Sequence, residues 1–178
     1  MSRNKRLVYI ALLAAQAVII SVLERTIPSP FPFAPGARLG LANIVTCIAL
    51  FTLPLKDTTA IIVIRLVLSA FLTGGISTFM HSASGAIVSF IGMLLVKQLG
   101  PKRVSIIGIC TTGGVLHNFG QLLMSSLVMG TWAIMLYLPV LAFVGILSGI
   151  ATGIASNFLL PHLQALKFFH TTQRSHQS

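Results

Sequence analysis

The sequence predicts an all-α membrane protein: one bundle of six transmembrane helices with both termini in the cytoplasm. Three observations predict it. Of 178 residues, 55% are hydrophobic and 8% charged. A soluble domain carries about 25% charged residues, so this chain could not cover a water-facing surface. The apolar residues fall in runs close to the roughly 20 residues that cross a hydrocarbon core. The basic residues fall between those runs, mostly on one side of them.

The first run, 7–24, follows the basic start MSRNKR. It imitates a secretory signal, but it stays apolar through Leu23 and further membrane-like runs succeed it, so it reads as a retained span. The others are 38–55, 58–73, 82–99, 104–129 and 133–160. The third is short, and the last two are long enough to tilt. Each is expected to be a helix, because an isolated strand leaves its backbone unsatisfied in lipid. Residues 1–165 then form a single domain, and 166–178 a polar cytoplasmic tail. Alternating the ends puts nine basic residues inside (among them Arg3, Arg6, Lys56, Lys97 and Lys102) and two, Arg25 and Arg38, outside. That bias orients the chain with both termini inside, and a bacterial cell membrane is its expected location.

Charge and motif content exclude several classes. The net charge of +10 comes from 12 basic residues against two acids, Glu24 and Asp57. A soluble chain so basic would suggest nucleic acid; here topology accounts for it, and no nucleic-acid partner is expected. No Walker motif is present, so the chain does not hydrolyse ATP itself. No aspartate-rich cluster is present to hold Mg²⁺ against a diphosphate. GxSxG is absent. Catalytic residues, metal ligands and a cofactor are not expected in this chain. Cys47 and Cys110 lie in apolar runs, and their spacing suits neither a metal site nor a disulfide framework. They read as small buried hydrophobes.

The polar residues inside the runs gather toward the outer side. Gln16 is central in the first span, with Ser21 and Glu24 beyond it. Arg38 and Asn43 open the second span, in "PGARLGLANIVT". Arg65 is central in the third, followed by Ser69 and Thr73. Thr78 and His81 are expected in the outer loop before the fourth span, which Ser82 and Ser84 begin. His117, Asn118 and Gln121 lie in the central and outer part of the fifth. Ionisable groups at such depth are expensive, about 2.5–3.5 kcal/mol each on insertion scales. Arg65 suits either an ion pair with Glu24 or an anion ligand, since Arg38 and Arg65 outnumber the one nearby acid. His117 and Gln121 share a helix face and suit interhelical hydrogen bonds or ligand contacts. His81 suits a cap or a contact. The first outer loop, "ERTIPSPFPFAPGAR", is stiffened by four prolines and suits a connector or a lid. Gly145, Gly149 and Gly153 form a ladder for close packing inside the bundle. Ala11 and Ala15 suit packing or docking of a separate membrane protein. Trp132 and Tyr137 suit an interfacial belt.

A small six-helix binder with an outward polar pocket resembles the substrate-binding S-components of energy-coupling factor (ECF) transporters. In these, an AxxxA-type motif on the first helix meets the transmembrane coupling subunit; "ALLAA", Ala11 to Ala15, matches it. More specifically, "PGARLGLANIVT" with "LFTL", "FLTGGISTFMHSASGAIVSF" and "GGVLHNFGQLL" resemble the Gx transporter family over about residues 7–165. Its members are often labelled heptaprenyl diphosphate synthase component I. The resemblance implies an S-component that captures an anionic, partly apolar metabolite, a quinone or isoprenoid precursor such as a hydroxynaphthoate or a prenyl phosphate. Arg38 and Arg65 would neutralise it, and Asn43, His81, His117, Asn118 and Gln121 would orient it. The 25–37 loop would close over it. A coupling subunit would dock at Ala11 and Ala15, and two cytoplasmic ATPases would use the ATP. The alternatives are a membrane subunit of a prenyl diphosphate synthase complex and a scaffold in which Arg65 pairs with Glu24.

Overall fold

The computed structural model describes residues 3–26, 39–73, 75–100 and 102–165. They fold into six α-helices: α1 (Arg3–Thr26), α2 (Asn43–Thr52), α3 (Leu55–Thr73), α4 (Gly75–Gln98), α5 (Ile106–Met129) and α6 (Leu138–Ala165). A 3₁₀ helix, Trp132–Tyr137, leads into α6. Three segments, Arg3–Glu24, Gly75–Gln98 and Trp132–Leu163, are long and apolar enough to cross a membrane. The surface carries large apolar side chains such as Phe71 (86% exposed) and Leu136 (81%), while Arg65, Asn118 and Gln121 are buried. Polar inside and apolar outside is the arrangement for a lipid solvent, and it marks a membrane protein.

Three elements depart from the sequence expectation. α2 has ten residues, not a full span. It stops at Thr52 because Leu53 precedes Pro54 and is extended (φ −126°, ψ 157°), as a residue before proline is driven to be. α4 begins at Gly75, seven residues ahead of the expected start, so Thr78 and His81 lie within the helix rather than in a loop. α6 begins at Leu138 because Trp132–Tyr137 winds more tightly first.

Packing follows from small residues. α5 sits between α4 and α6. A Cβ on Gly145 would lie 2.8 Å from the Gly114 carbonyl oxygen, and one on Gly153 would lie 2.7 Å from Ile107 Cα. The glycine ladder therefore brings the α5 and α6 backbones together, where dispersion and close approach replace the hydrophobic effect that lipid removes. α1 packs on α3, and α2 is central, touching every other α-helix. Tyr9, Leu13 and Ala17 of α1 meet Val45, Ile48 and Ala49 of α2 and Ile61 of α3 in one cluster.

Neighbouring helices supply what α2 lacks at each end. The Leu50 carbonyl would bond the N–H four residues on, but that residue is Pro54, which has none. Lys97 of α4 supplies the donor: its Nζ lies 2.5 Å from that oxygen and 4.9 Å from the Phe51 ring centroid. At the other end Glu24 of α1 accepts from the backbone ahead of α2. A negative charge at the start and a positive one at the end both favour the helix dipole. At the α2 C-terminal end of the bundle, Arg6 grips Asp57 with two bonds, of 2.5 and 2.6 Å. That fork holds the Asp57 carboxyl below the usual carboxylate range.

Candidate binding cavity

Ser21 and Glu24 of α1, Ala42 ahead of α2, Arg65, Leu66 and Ser69 of α3, Ser82 of α4 and His117 of α5 line one small space. Helical spacing explains the choice. Ser21 and Glu24 are three apart, Arg65 and Ser69 four apart, so each pair shares a face. The space is contracted, about 10 Å³, room for about one water.

Residues 39–42 form its roof. Gly40 has φ +75°, a left-handed conformation that glycine adopts without strain. Glu24 Oε1 accepts the Gly40 N–H, and the Leu41 N–H at 3.3 Å. A Cβ on Gly40 would stand 3.0 Å from the His117 ring and 3.3 Å from Asn43 Nδ2, so glycine also lets both side chains close in. On the opposite wall, a Cβ on Gly85 would stand 2.9 Å from His117 Cε1. Gln121 Nε2 lies 3.1 Å from His117 Nε2. The amide donates, which assigns the ring proton to Nδ1.

The sequence candidates divide by place. Arg65 and His117 line the cavity. Asn43 and Gln121 adjoin it through His117 and Gly40. Asn118 turns away and donates to the Leu141 carbonyl of α6 at 2.8 Å. His81 Nδ1 bonds the Ser77 carbonyl one turn back in α4, at 2.7 Å. Ala11 and Ala15 lie exposed on α1 beside the exposed Gln16. Arg38 and the 25–37 loop lie outside the described residues, save that residues 25 and 26 end the α1 helix. Three serines, Ser21, Ser69 and Ser82, line the space without having been singled out as site residues. For Ser21 and Ser69 the available signal was their helical spacing from Glu24 and Arg65; Ser82, on another helix, had no such signal.

Among the described residues, Asn43 Nδ2 and Ser82 Oγ are buried here with no hydrogen-bond partner. Buried polar groups are nearly always satisfied, so both point to a missing partner. On neighbouring turns of α3 and α4, toward the same end of the bundle, Val67, Ala70, Phe71, Gly75, Ile76 and Phe79 line an apolar groove of about 440 Å³. Among the described residues, no group of three His, Cys, Asp or Glu gathers to hold a metal ion.

Fold and cavity together define an all-helical membrane protein with a buried polar site that holds both an acid, Glu24, and a base, Arg65. The profile of the family described as heptaprenyl diphosphate synthase component I matches residues 13–159, and the chain belongs to that family, the one also called the Gx transporter family. No curated protein and no solved structure matches the chain.

Proposed function

We propose that this chain is the substrate-binding S-component of an ECF-type importer. It takes an anionic, partly apolar metabolite, such as a hydroxynaphthoate or a prenyl phosphate. The observation that carries this reading is the pair of unpartnered donors, Asn43 Nδ2 and Ser82 Oγ, around a space that Arg65 lines. Each buried unsatisfied group costs about 1–3 kcal/mol. Oxygens of an anionic head would satisfy both, in a space that the Arg65 guanidinium also lines. The space holds only about one water, so in this reading the site widens to take the head. The neighbouring apolar groove suits the rest of the molecule. In this reading both termini lie inside, and the ten-residue α2 spans only about half of the hydrocarbon core. A coupling subunit meets the Ala11, Ala15 and Gln16 face of α1, and two partner ATPases supply the energy.

The test is titration of farnesyl diphosphate and 1,4-dihydroxy-2-naphthoate into purified protein in nanodiscs. Arg65→Ala and Asn43→Leu should weaken the bound anion about tenfold or more, one lost charge-assisted contact being worth about 1.5–3 kcal/mol. Arg65→Lys, which keeps the charge, should lose less. Equal affinity in wild type, Arg65→Ala and Arg38→Ala would remove the anion site.

The family's description favours a second reading, a membrane subunit of a prenyl diphosphate synthase. Of the two carboxylates, Glu24 is engaged by backbone N–H groups and Asp57 by Arg6, at opposite ends of the bundle. A catalytic partner would then have to bring the Mg²⁺ ligands. Pull-down from native membranes separates the readings: a coupling subunit with ATPases supports import, and a soluble aspartate-rich synthase supports the second.

A further inference from the structure

α2 and α5 bring together the two cysteines of the chain, which are 63 positions apart. Cys47 Sγ and Cys110 Sγ lie 2.8 Å from each other, and both residues are fully buried. The Ser156 hydroxyl of α6 stands 4.0 Å from Cys110 Sγ. A disulfide needs about 2.0 Å between sulfurs, so under about 1 Å of sulfur movement separates the pair from a bond. Both backbones are held in place. α6 packs against Cys110 through Gly149 and Gly153, whose Cβ atoms would stand 2.8 Å from Cys110 O and 3.3 Å from Cys110 Cβ. α2 is secured through Lys97 and Glu24.

The pair also sits in line with the cavity. Cys47 is one turn beyond Asn43 on α2, and Cys110 is two turns before His117 on α5. Residues four and seven apart share a helix face. A bond between the sulfurs would thus fix the two faces that carry Asn43 and His117.

We propose that Cys47 and Cys110 are a redox modification site, a reversible disulfide that tethers α2 to α5 below the cavity. The oxidant is a peroxide, small and neutral enough to reach an apolar interior. One cysteine sulfur, losing its proton, attacks a peroxide oxygen; the O–O bond breaks, leaving a sulfenic acid and one water. The second sulfur displaces the sulfenic oxygen, which leaves with the remaining thiol proton as a second water. The two thiols lose two electrons and two protons, and hydrogen peroxide becomes two waters. A small dithiol reverses the bond by exchange. Because the contracted cavity must widen to take a ligand, the tether opposes binding; this consequence rests on the importer reading.

The experiment uses full-length protein in detergent, treated with hydrogen peroxide, denatured, alkylated with N-ethylmaleimide and weighed intact. Wild type should lose both alkylation sites together and weigh two hydrogens less, with dithiothreitol restoring both thiols. Cys47→Ala and Cys110→Ala should each keep one alkylatable thiol or gain oxygen. Wild type that keeps both thiols, or gains oxygen without losing the hydrogens, overturns the site. In a second arm, farnesyl diphosphate is titrated into oxidised and reduced protein, and oxidised protein should bind about tenfold more weakly. Equal affinity overturns the tether's effect on the cavity. No binding in either form counts against the importer reading, while the mass measurement still decides the disulfide.

Discussion

Lys97→Met should loosen α2 without touching the cavity directly. Methionine keeps the apolar stem and removes the ammonium. Two contacts disappear: the bond to the Leu50 carbonyl at 2.5 Å and the approach to the Phe51 ring at 4.9 Å. A hydrogen bond to a charged group contributes about 1.5–3 kcal/mol, and an exposed cation–π contact about 0.5–1 kcal/mol. The Leu50 oxygen is then left buried, since Pro54 offers it no N–H. These contributions overlap, and a net loss of about 2–3 kcal/mol is expected. For a chain of this size, each kcal/mol moves the midpoint by about 2–4 °C, so the transition should fall by about 4–12 °C. Thermal unfolding in detergent measures it. Labelling of Cys47 by a small maleimide reports whether α2 itself has loosened: its rate should rise more than that of Cys110. Lys97→Arg should recover much of the loss. An unchanged midpoint with unchanged Cys47 labelling would refute the claim that Lys97 completes α2.

Two further outcomes follow from the packing and the ion pair. Asp57 has a folded pKa below its unfolded value of about 3.9 because Arg6 hydrogen-bonds its carboxylate. Its contribution is therefore complete above that unfolded value and is lost as pH falls through the folded one. Between pH 5 and 2, wild type should lose more thermal stability than Asp57→Asn, and parallel curves would contradict the pairing. Gly145→Ala places a methyl 2.8 Å from the Gly114 carbonyl oxygen and should destabilise by about 1–3 kcal/mol, as overpacking does. Gly108→Ala is the control, since there a Cβ meets side-chain atoms alone, Val104 Cγ1 at 3.0 Å and Ser105 Oγ at 3.6 Å. Equal losses in the two variants would argue against backbone contact between α5 and α6.

What the sequence disclosed was periodicity, composition and depth. Six helices and a polar gathering toward one end were readable from where apolar runs stop and where Glu24, Arg65 and His117 fall. The glycine ladder pointed to close packing because its spacing is local. The start of α4 was not readable: "TGGIST" has the glycine, serine and threonine of a loop, yet the helix begins at Gly75 with φ +81° directly after α3. The length of α2 was hidden because residues 39–42, Leu-Gly-Leu-Ala, continue the apolar run, while Gly40 turns left-handed. Bonds from a side chain to a distant backbone, Glu24 to Gly40 or Lys97 to Leu50, leave no local trace. For the same reason the two cysteines read as independent small hydrophobes.

Ten residues of α-helix rise about 15 Å, half of a hydrocarbon core. α2 is thus too short to enter a bilayer as an autonomous span, and the turn ahead of it carries N–H groups, at Gly40 and Leu41, that lipid would leave bare without Glu24. α2 is instead completed by its neighbours. Glu24 of α1 receives the backbone of Gly40 and Leu41 at one end, and Lys97 of α4 supplies a donor to the Leu50 oxygen at the other. The half-helix beside the cavity is therefore a shape that only the assembled bundle can hold.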